Sequence, residues 1–272
     1  MPQSDTPVDP PASPAPGSLT REDGTVLAYY KTAPGKARTE DTTAKPRQRP
    51  GLMFLGGFMS DMSGGKAQAL EAYAVAEGRA FLRFDYRGHG ASSGRFEDAT
   101  IGDWLGDALA VLDTVTEGPQ ILVGSSMGGW IMLLTALARP QRIAGLVGIA
   151  AAPDFTEDLI WARATPDQRA ALERVGYVDN PSAYSEAPYR ITRRLIEEGR
   201  DHLLLGRPIP LTCPVRLIHG LADPDVPWQT SLRLAEALQS SDVEVTLVKG
   251  AGHRLSEPED LARLERVIEV LG

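Results

Sequence analysis

The sequence predicts an α/β fold, with a mostly parallel sheet, helices on both of its faces and a small helical cap. Two observations carry that expectation. From residue 51 onward, apolar runs alternate with segments whose apolar residues recur at helical spacing. The runs are apolar throughout rather than at every second position, which is what strands covered on both faces require. The rhythm breaks once, between about 154 and 210, where helix-like segments such as "DQRAALERVG" and "YRITRRLIEEGR" follow one another without a clear strand. That stretch reads as a cap inserted into the sheet domain.

Taken in order, the chain opens with "MPQSDTPVDPPASPAPG", which holds six prolines and no Lys or Arg. It has neither the basic end and apolar core of a secretory signal nor the arginines of a transit peptide. Residues 1–18 are therefore expected to be a solvated tail, residues 19–272 the folded domain, and the cytoplasm its address. Thr25 to Lys31 is strand-like and precedes a polar connection rich in Pro, Lys and Arg. "GLMFLGGF", "AFLRFDYRG", "QILVG", "IAGLVGIAA", "VRLIHG" and "EVTLVKG" are the buried-strand candidates. Between them, Lys66–Glu77, Ile101–Val115, Trp130–Ala138, Trp228–Leu238 and Pro258–Leu271 read as helices. Thr100 with Asp103 could cap the second, and Ser256-Glu257-Pro258-Glu259 is a start signal for the last.

Composition excludes several functions. Of 272 residues, 42% are hydrophobic and 24% charged, as in ordinary globular proteins. The formal net charge of -8 opposes binding to a phosphate backbone, so no nucleic-acid partner is expected. Cys213 is the only cysteine, which excludes an internal disulfide and a Cys-rich zinc site. No apolar window reaches the length of a membrane span. No P-loop, dinucleotide fingerprint or H-E-x-x-H occurs, so neither a cofactor nor a metal is expected.

The chemistry is concentrated at Gly124-Ser125-Ser126-Met127-Gly128, a G-x-S-x-G between a strand and a helix. A serine on so sharp a turn has strained backbone angles, and side chains on its neighbours would clash; Gly124, Gly128 and Gly129 meet that need. The strain lifts the Ser126 hydroxyl above the sheet, at a helix N-terminus that favours developing negative charge. A serine hydroxyl needs a base and an orienting acid. In this arrangement they follow in the order Ser, Asp or Glu, His. Of the four histidines, His89 precedes the serine, His202 lies in the cap, and His219 ends a strand and is expected to bond locally. His253, in the Gly-rich loop after the last strand, satisfies both order and place.

For the acid, "LIHGLADPDVP" offers Asp223 and Asp225, and Asp154 ends another strand. Asp223 stands at the turn leaving its strand and is preferred; Asp225 is expected to cap the helix starting near Pro227. Backbone N–H groups of Met127 and Phe58 are the expected oxyanion donors, the latter after Gly56-Gly57. Asp85 is expected to fix the loop after its strand.

The segments "FLGGFMSDMSGGKA", "RFDYRGHGASSG", "GPQILVGSSMGGW", "PSAYSE" and "CPVRLIHGLADPDVPW" resemble the α/β-hydrolase fold family. More narrowly, they resemble its α/β-hydrolase-domain protein ten type, over roughly residues 51 to 255. The resemblance implies an α/β-hydrolase fold and places nucleophile, acid and base on Ser126, Asp223 and His253. It implies hydrolysis of acyl esters, including acyl glucuronides, and of S-acyl thioesters on proteins. The expected function is thus a serine esterase or thioesterase acting on a small-molecule ester, an acyl thioester or an S-acylated protein. The alternatives are a peptidase or another reaction of the same fold, and a catalytically silent binding protein. The cap should hold the acyl chain, with Trp161 and the Tyr184–Leu195 stretch as walls. Arg190, Arg193 and Arg194 lie close together, with Arg194 the residue expected to meet an anionic leaving group.

Overall fold

The computed structural model describes residues 15–35, 49–180 and 188–272. Its first elements are β1 (Gly17–Thr20), β2 (Val26–Thr32), β3 (Gly51–Leu55), α1 (Gly65–Ala76), β4 (Phe81–Phe84) and α2 (Ile101–Val115). Next come β5 (Gln120–Ser125), α3 (Met127–Ala138) and β6 (Ile143–Ile149). The insertion carries a π-type turn (Thr156–Trp161), α4 (Pro166–Val175), β7 (Tyr177–Asn180), β8 (Tyr189–Thr192) and α5 (Arg193–Gly199). The chain closes with β9 (Val215–Gly220), α6 (Gln229–Ala237), β10 (Val243–Val248) and α7 (Pro258–Val270).

Eight strands form one sheet in the order β1-β2-β4-β3-β5-β6-β9-β10. β2 runs antiparallel to both β1 and β4, and every other pair is parallel. The expected α/β architecture is therefore present. Strand periodicity shows why the central runs are apolar at each residue. Met53, Leu55 and Leu122 join the core beneath α2 and α3, while Leu52, Phe54, Ile121 and Val123 join the one beneath α1 and α7. Both faces are dry, so alternation has nothing to mark. Fully burying one such side chain is worth about 1.5–3 kcal/mol.

The helices begin where the sequence has start signals. Thr100 and Asp103 form a reciprocal capping box on α2, and Pro258 occupies the first turn of α7.

Three expectations need correction. Gly17 and Ser18 do not belong to a tail, because they pair with Tyr29 and Ala28 in β1. Leu19 packs on the core and anchors that strand, a signal too short to read against the prolines before it. Residues 1–14 of the expected tail lie outside the described residues, as does most of the polar connection. The cap is not purely helical. Tyr189–Thr192, expected to open a helix, is a strand paired antiparallel with Tyr177–Asn180. Its β-branched Ile191 is buried among Leu172 and Ile196, and Thr192 then caps α5. Finally, Asp225 does not cap α6, which starts at Gln229 without a side-chain cap.

One buried charge ties the sheet's edge to its helices. Asp107 on α2 is fully buried and accepts from Arg21, beyond β1, and from the guanidinium and backbone N–H of Arg87, after β4. Removing one partner of a buried pair strands the others without compensation, at about 3–5 kcal/mol. Asp107→Ala should therefore lower stability by about that amount in urea unfolding. Asp113→Ala, which loses only the solvent-accessible pairs with Arg139 and Arg142, should cost less than about 1 kcal/mol. Equal losses for the two variants would refute the assignment.

Candidate active site

β5 lies in the middle of the sheet, and its last residue leads directly into Ser126 and α3. Ser126 has φ 54° and ψ -120°, a conformation that L-residues avoid. The turn is held by hydrogen bonds from Ser126 N–H to the Ile149 carbonyl and from Gly129 and Ala152 N–H to the Ser126 carbonyl. The backbone at Gly128 passes against β3 so closely that a Cβ there would collide with the Leu55 and Gly56 carbonyl oxygens. Ser125 remains in the strand and is buried.

The structure brings Ser126, His253 and Asp223 into one hydrogen-bonded chain. His253 Nε2 lies 3.0 Å from Ser126 Oγ, and His253 Nδ1 lies 2.8 Å from Asp223 Oδ2. The loops that carry Asp223 and His253 touch directly. Ala222 N–H donates to the Ala251 carbonyl, and a Cβ on Gly220 would strike the Ala251 and Gly252 carbonyls. Lys66, at the start of α1, donates to the Arg254 carbonyl and so ties down the loop that carries His253. Burial, helped by the nearby Arg254 charge, lowers the Lys66 ammonium to about 8.

Asp223 is buried and its carboxylate is saturated. Oδ1 accepts from the N–H groups of Asp225 and Val226, both at 2.9 Å; Oδ2 faces His253 and, at 3.1 Å, His219 Nε2. Burial pushes the carboxyl up, but the bonds from His219, His253 and Val226 outweigh it and hold it well below the usual carboxylate range. Asp223, Asp225 and His253 also present ligand-like atoms within 4.8 Å of one another. The His253 nitrogens and both Asp223 oxygens are already engaged in the bonds above.

Asp154, the other acid considered, points elsewhere. It accepts from Leu204 and Leu205 N–H, both at 2.8 Å, and so ties the end of β6 to the far end of the insertion. Burial raises its carboxyl against the pull of those two bonds.

Phe58 follows the glycines after β3, and a Cβ on Gly57 would lie 3.5 Å from the Ser126 Cβ. The Phe58 loop thus passes beside the serine, and Met127, the residue after it, is the first of α3. The Phe58 ring makes edge contacts with Phe96, Trp104, Phe155 and Tyr189.

Two further histidines have defined partners, and His219 bonds locally as expected. His89 is buried, its Nδ1 faces the Arg87 carbonyl at 3.1 Å, and its Nε2 accepts from Met59 N–H at 3.3 Å. Burial lowers its basicity, against the Arg87 carbonyl and Asp107 charge, which keeps Nε2 free to accept. It thereby buttresses the residue after Phe58. His219 is fully buried and touches Asp223 itself. The available signal was a polar ring at the end of an apolar run, since buried polar groups require partners. Asp85 binds Met62 and Ala91 N–H, fixing two loops around β4 as expected.

The residues expected to meet substrate stand apart from the serine's hydrogen-bonded chain. Trp161 has the guanidinium groups of Arg169 and Arg200 each 5.0 Å from its ring centre and lines a cavity of about 230 Å³ with Leu172, Ile196 and Arg193. Arg194 is exposed, 3.6 Å from Asp103, and lines an open depression with Glu97, Asp98, Glu197 and Glu198. Arg190 pairs with Asp179 and Arg193 with Glu197. Tyr184 lies outside the described residues.

The pattern of the alpha/beta hydrolase family matches residues 51–264. "Palmitoyl-protein thioesterase ABHD10, mitochondrial" of Mus musculus is 46% identical over 223 residues, 82% of this chain and 75% of that protein. A solved putative hydrolase from Agrobacterium vitis S4 superposes with a TM-score of 0.87 at 41% identity, covering 95% of this chain and 99% of that one. The solved alpha/beta hydrolase domain-containing protein 10 from mouse gives 0.83 at 41% identity, over 95% and 98% of the respective chains.

The collision at Gly128 yields a direct test of the turn. Gly128→Ala must move β3 or the Ser126 turn, so the variant should lose at least about 1–3 kcal/mol of stability. Wild-type unfolding midpoint and slope in this variant would show that the turn is not so tightly packed.

Proposed function

The chain belongs to the alpha/beta hydrolase family, and from that premise we propose a serine hydrolase that cleaves carboxylic esters or thioesters through an acyl-enzyme on Ser126. One observation carries the reading: a strained Ser126 bonded to His253, which is bonded to a buried, ionised Asp223. His253 takes the Ser126 proton on Nε2 as Oγ attacks the acyl carbon. The Phe58 and Met127 N–H groups receive the charge that develops on the acyl oxygen. Collapse breaks the bond to the leaving alcohol or thiol, which takes the proton from His253. A water then attacks the acyl-enzyme, its proton passing to His253 and then to Ser126 Oγ, and a carboxylic acid leaves. Asp223 keeps the ring in the tautomer with Nδ1 protonated and stabilises the imidazolium formed in each half.

The name of the mouse relative, palmitoyl-protein thioesterase, supports an S-acylated protein or another long-chain acyl group as substrate. Esters and thioesters pass through the same tetrahedral intermediates, so both fall within the reading. A silent binding protein or a peptidase has no observation in its favour. No helix among the described residues is long and apolar enough to cross a membrane. The mitochondrial address in the mouse relative's name lends no support to the cytoplasmic one expected from the N-terminus. Within the insertion, Trp161 is the residue we assign to the acyl chain. The four acids around Arg194 make its depression a poor receptor for an anionic leaving group.

With a p-nitrophenyl ester and a fluorophosphonate label, Ser126→Ala should lose labelling and more than about 10³-fold in kcat. Asp223→Asn should lose about 10³–10⁴-fold, far more than Asp154→Asn. Because the Asp223 carboxyl is depressed, the stability it contributes is present above the unfolded value of about 3.9 and disappears only as pH falls through the lower folded value. Mild acidification should reduce activity reversibly, because His253 has to be neutral to take the Ser126 proton, while the circular dichroism spectrum stays native because Asp223 remains ionised. Irreversible loss accompanied by unfolding would contradict this.

Selectivity is tested separately. Trp161→Ala should change the kcat/KM ratio of long to short acyl esters by more than twofold, about 0.4 kcal/mol. Arg194→Ala should leave the ratio of anionic to neutral leaving groups within that margin. The opposite pair of results would transfer the selectivity role to Arg194.

A further inference from the structure

His219 stands at the end of β9 with no exposed surface, and the catalytic reading gives it no task. Its Nε2 faces two acceptors, Asp223 Oδ2 at 3.1 Å and the Val226 carbonyl at 3.0 Å. Two acceptors on one nitrogen require that nitrogen to carry the proton. Nδ1 meets the Ser231 hydroxyl on α6 at 2.7 Å, and in the neutral ring it accepts that hydroxyl's proton. The ring is thus locked between a loop carbonyl, a helix hydroxyl and the acid. Asp223 Oδ2 is shared by two imidazoles, His219 and His253.

We propose that His219 is a positioning residue that holds the Asp223 carboxylate against His253 and takes part of its charge, thereby setting the pH at which His253 becomes a base. The proposal rests on the triad reading above. The geometry explains how it works. Oδ1 is already fixed by the Asp225 and Val226 N–H groups, so only Oδ2 can answer His253. A second donor on Oδ2 restrains rotation about the Cβ–Cγ bond and lowers the negative charge presented to His253 Nδ1. Besides Asp223, the Asp225 carboxylate lies within 4.8 Å of His253, and Ser126 occupies its Nε2. Lys66 on α1 reaches the neighbouring Arg254 carbonyl. None of these groups is altered by a change at position 219. A less shared carboxylate stabilises the imidazolium better, so losing His219 should hold His253 protonated to higher pH.

The test compares wild type, His219→Leu and His219→Gln. In His219→Leu, the acid limb of the kcat/KM profile should move up by at least about half a pH unit. The plateau kcat should fall at least fivefold, and KM should stay within twofold. His219→Gln, whose amide can still donate to Oδ2, should recover part of both losses. An acid limb that stays in place in His219→Leu, whatever the fall in rate, would mean that the ring only packs, and would overturn the proposal. Ring-nitrogen NMR of the wild-type protein gives a second reading that needs no variant to fold and no turnover. It should show His219 protonated on Nε2 and bonded to Asp223. A ring protonated only on Nδ1 would also overturn the proposal. Turnover that persists in Ser126→Ala would instead sink the triad reading, while the tautomer result would stand by itself.

Discussion

The bend at Ser126 is the constraint on which the rest of the structure depends. A central strand of a parallel sheet has to stop, reverse into φ 54° and start a helix within one residue. That is tolerable only because neighbouring strands over-determine it: β6 supplies the Ile149 carbonyl to Ser126 N–H, and β3 comes within contact of Gly128. Strain of about 1–3 kcal/mol is small beside the burial energy of the apolar runs on either side. Position in the sheet is therefore what makes the conformation affordable, and the edge strands β1 and β10 could not supply it.

Charge is handled differently from strain. An ionised carboxylate buried as deeply as Asp223 would ordinarily take up a proton, and burial alone pushes it that way. Four N–H groups reverse the outcome, two from its own loop and two from imidazoles. Asp107, buried on α2, is held instead by two guanidinium groups and a backbone N–H. The difference matters. Arginines keep their charge at all working pH values, whereas an imidazole can respond to pH. Under the proposed mechanism, the carboxylate that faces the base is thus held by imidazoles, and the one that only holds a corner together is held by guanidinium groups.

The strand and helix rhythm was legible because burial on both faces makes the central strands apolar along their length, and six strands and five helices fall where the pattern put them, although β10, expected to be buried, is a partly exposed edge strand. The order Ser126, Asp223, His253 could be read because each sits just past the end of a strand, where a loop can aim a side chain above the sheet. What escaped was tertiary. Nothing local marks Gly17–Thr20 as a strand, since its partner is the stretch after the turn and its anchor is a single leucine. Tyr189–Thr192 has the composition of a helix start, and only the insertion's own small core makes it a strand. Asp225 and Asp223 have similar surroundings in sequence. Turn position favours Asp223, but the bonds each acid forms depend on a loop that lies 30 residues further along the chain.

Phe58 has a double membership that limits how this scaffold can be altered. Its backbone runs beside the serine, while its ring packs on Trp104 and Phe96 from the sheet domain and on Phe155 and Tyr189 from the insertion. The same residue therefore belongs to the main core and to the insertion's core. Grafting another protein's insertion onto this sheet would remove two of the four rings that orient Phe58. A transplant chosen only for the new pocket it brings would thus loosen the turn beside Ser126 as well. For an engineer or an evolving lineage, residues 155 and 189 have to travel with the framework rather than with the insert.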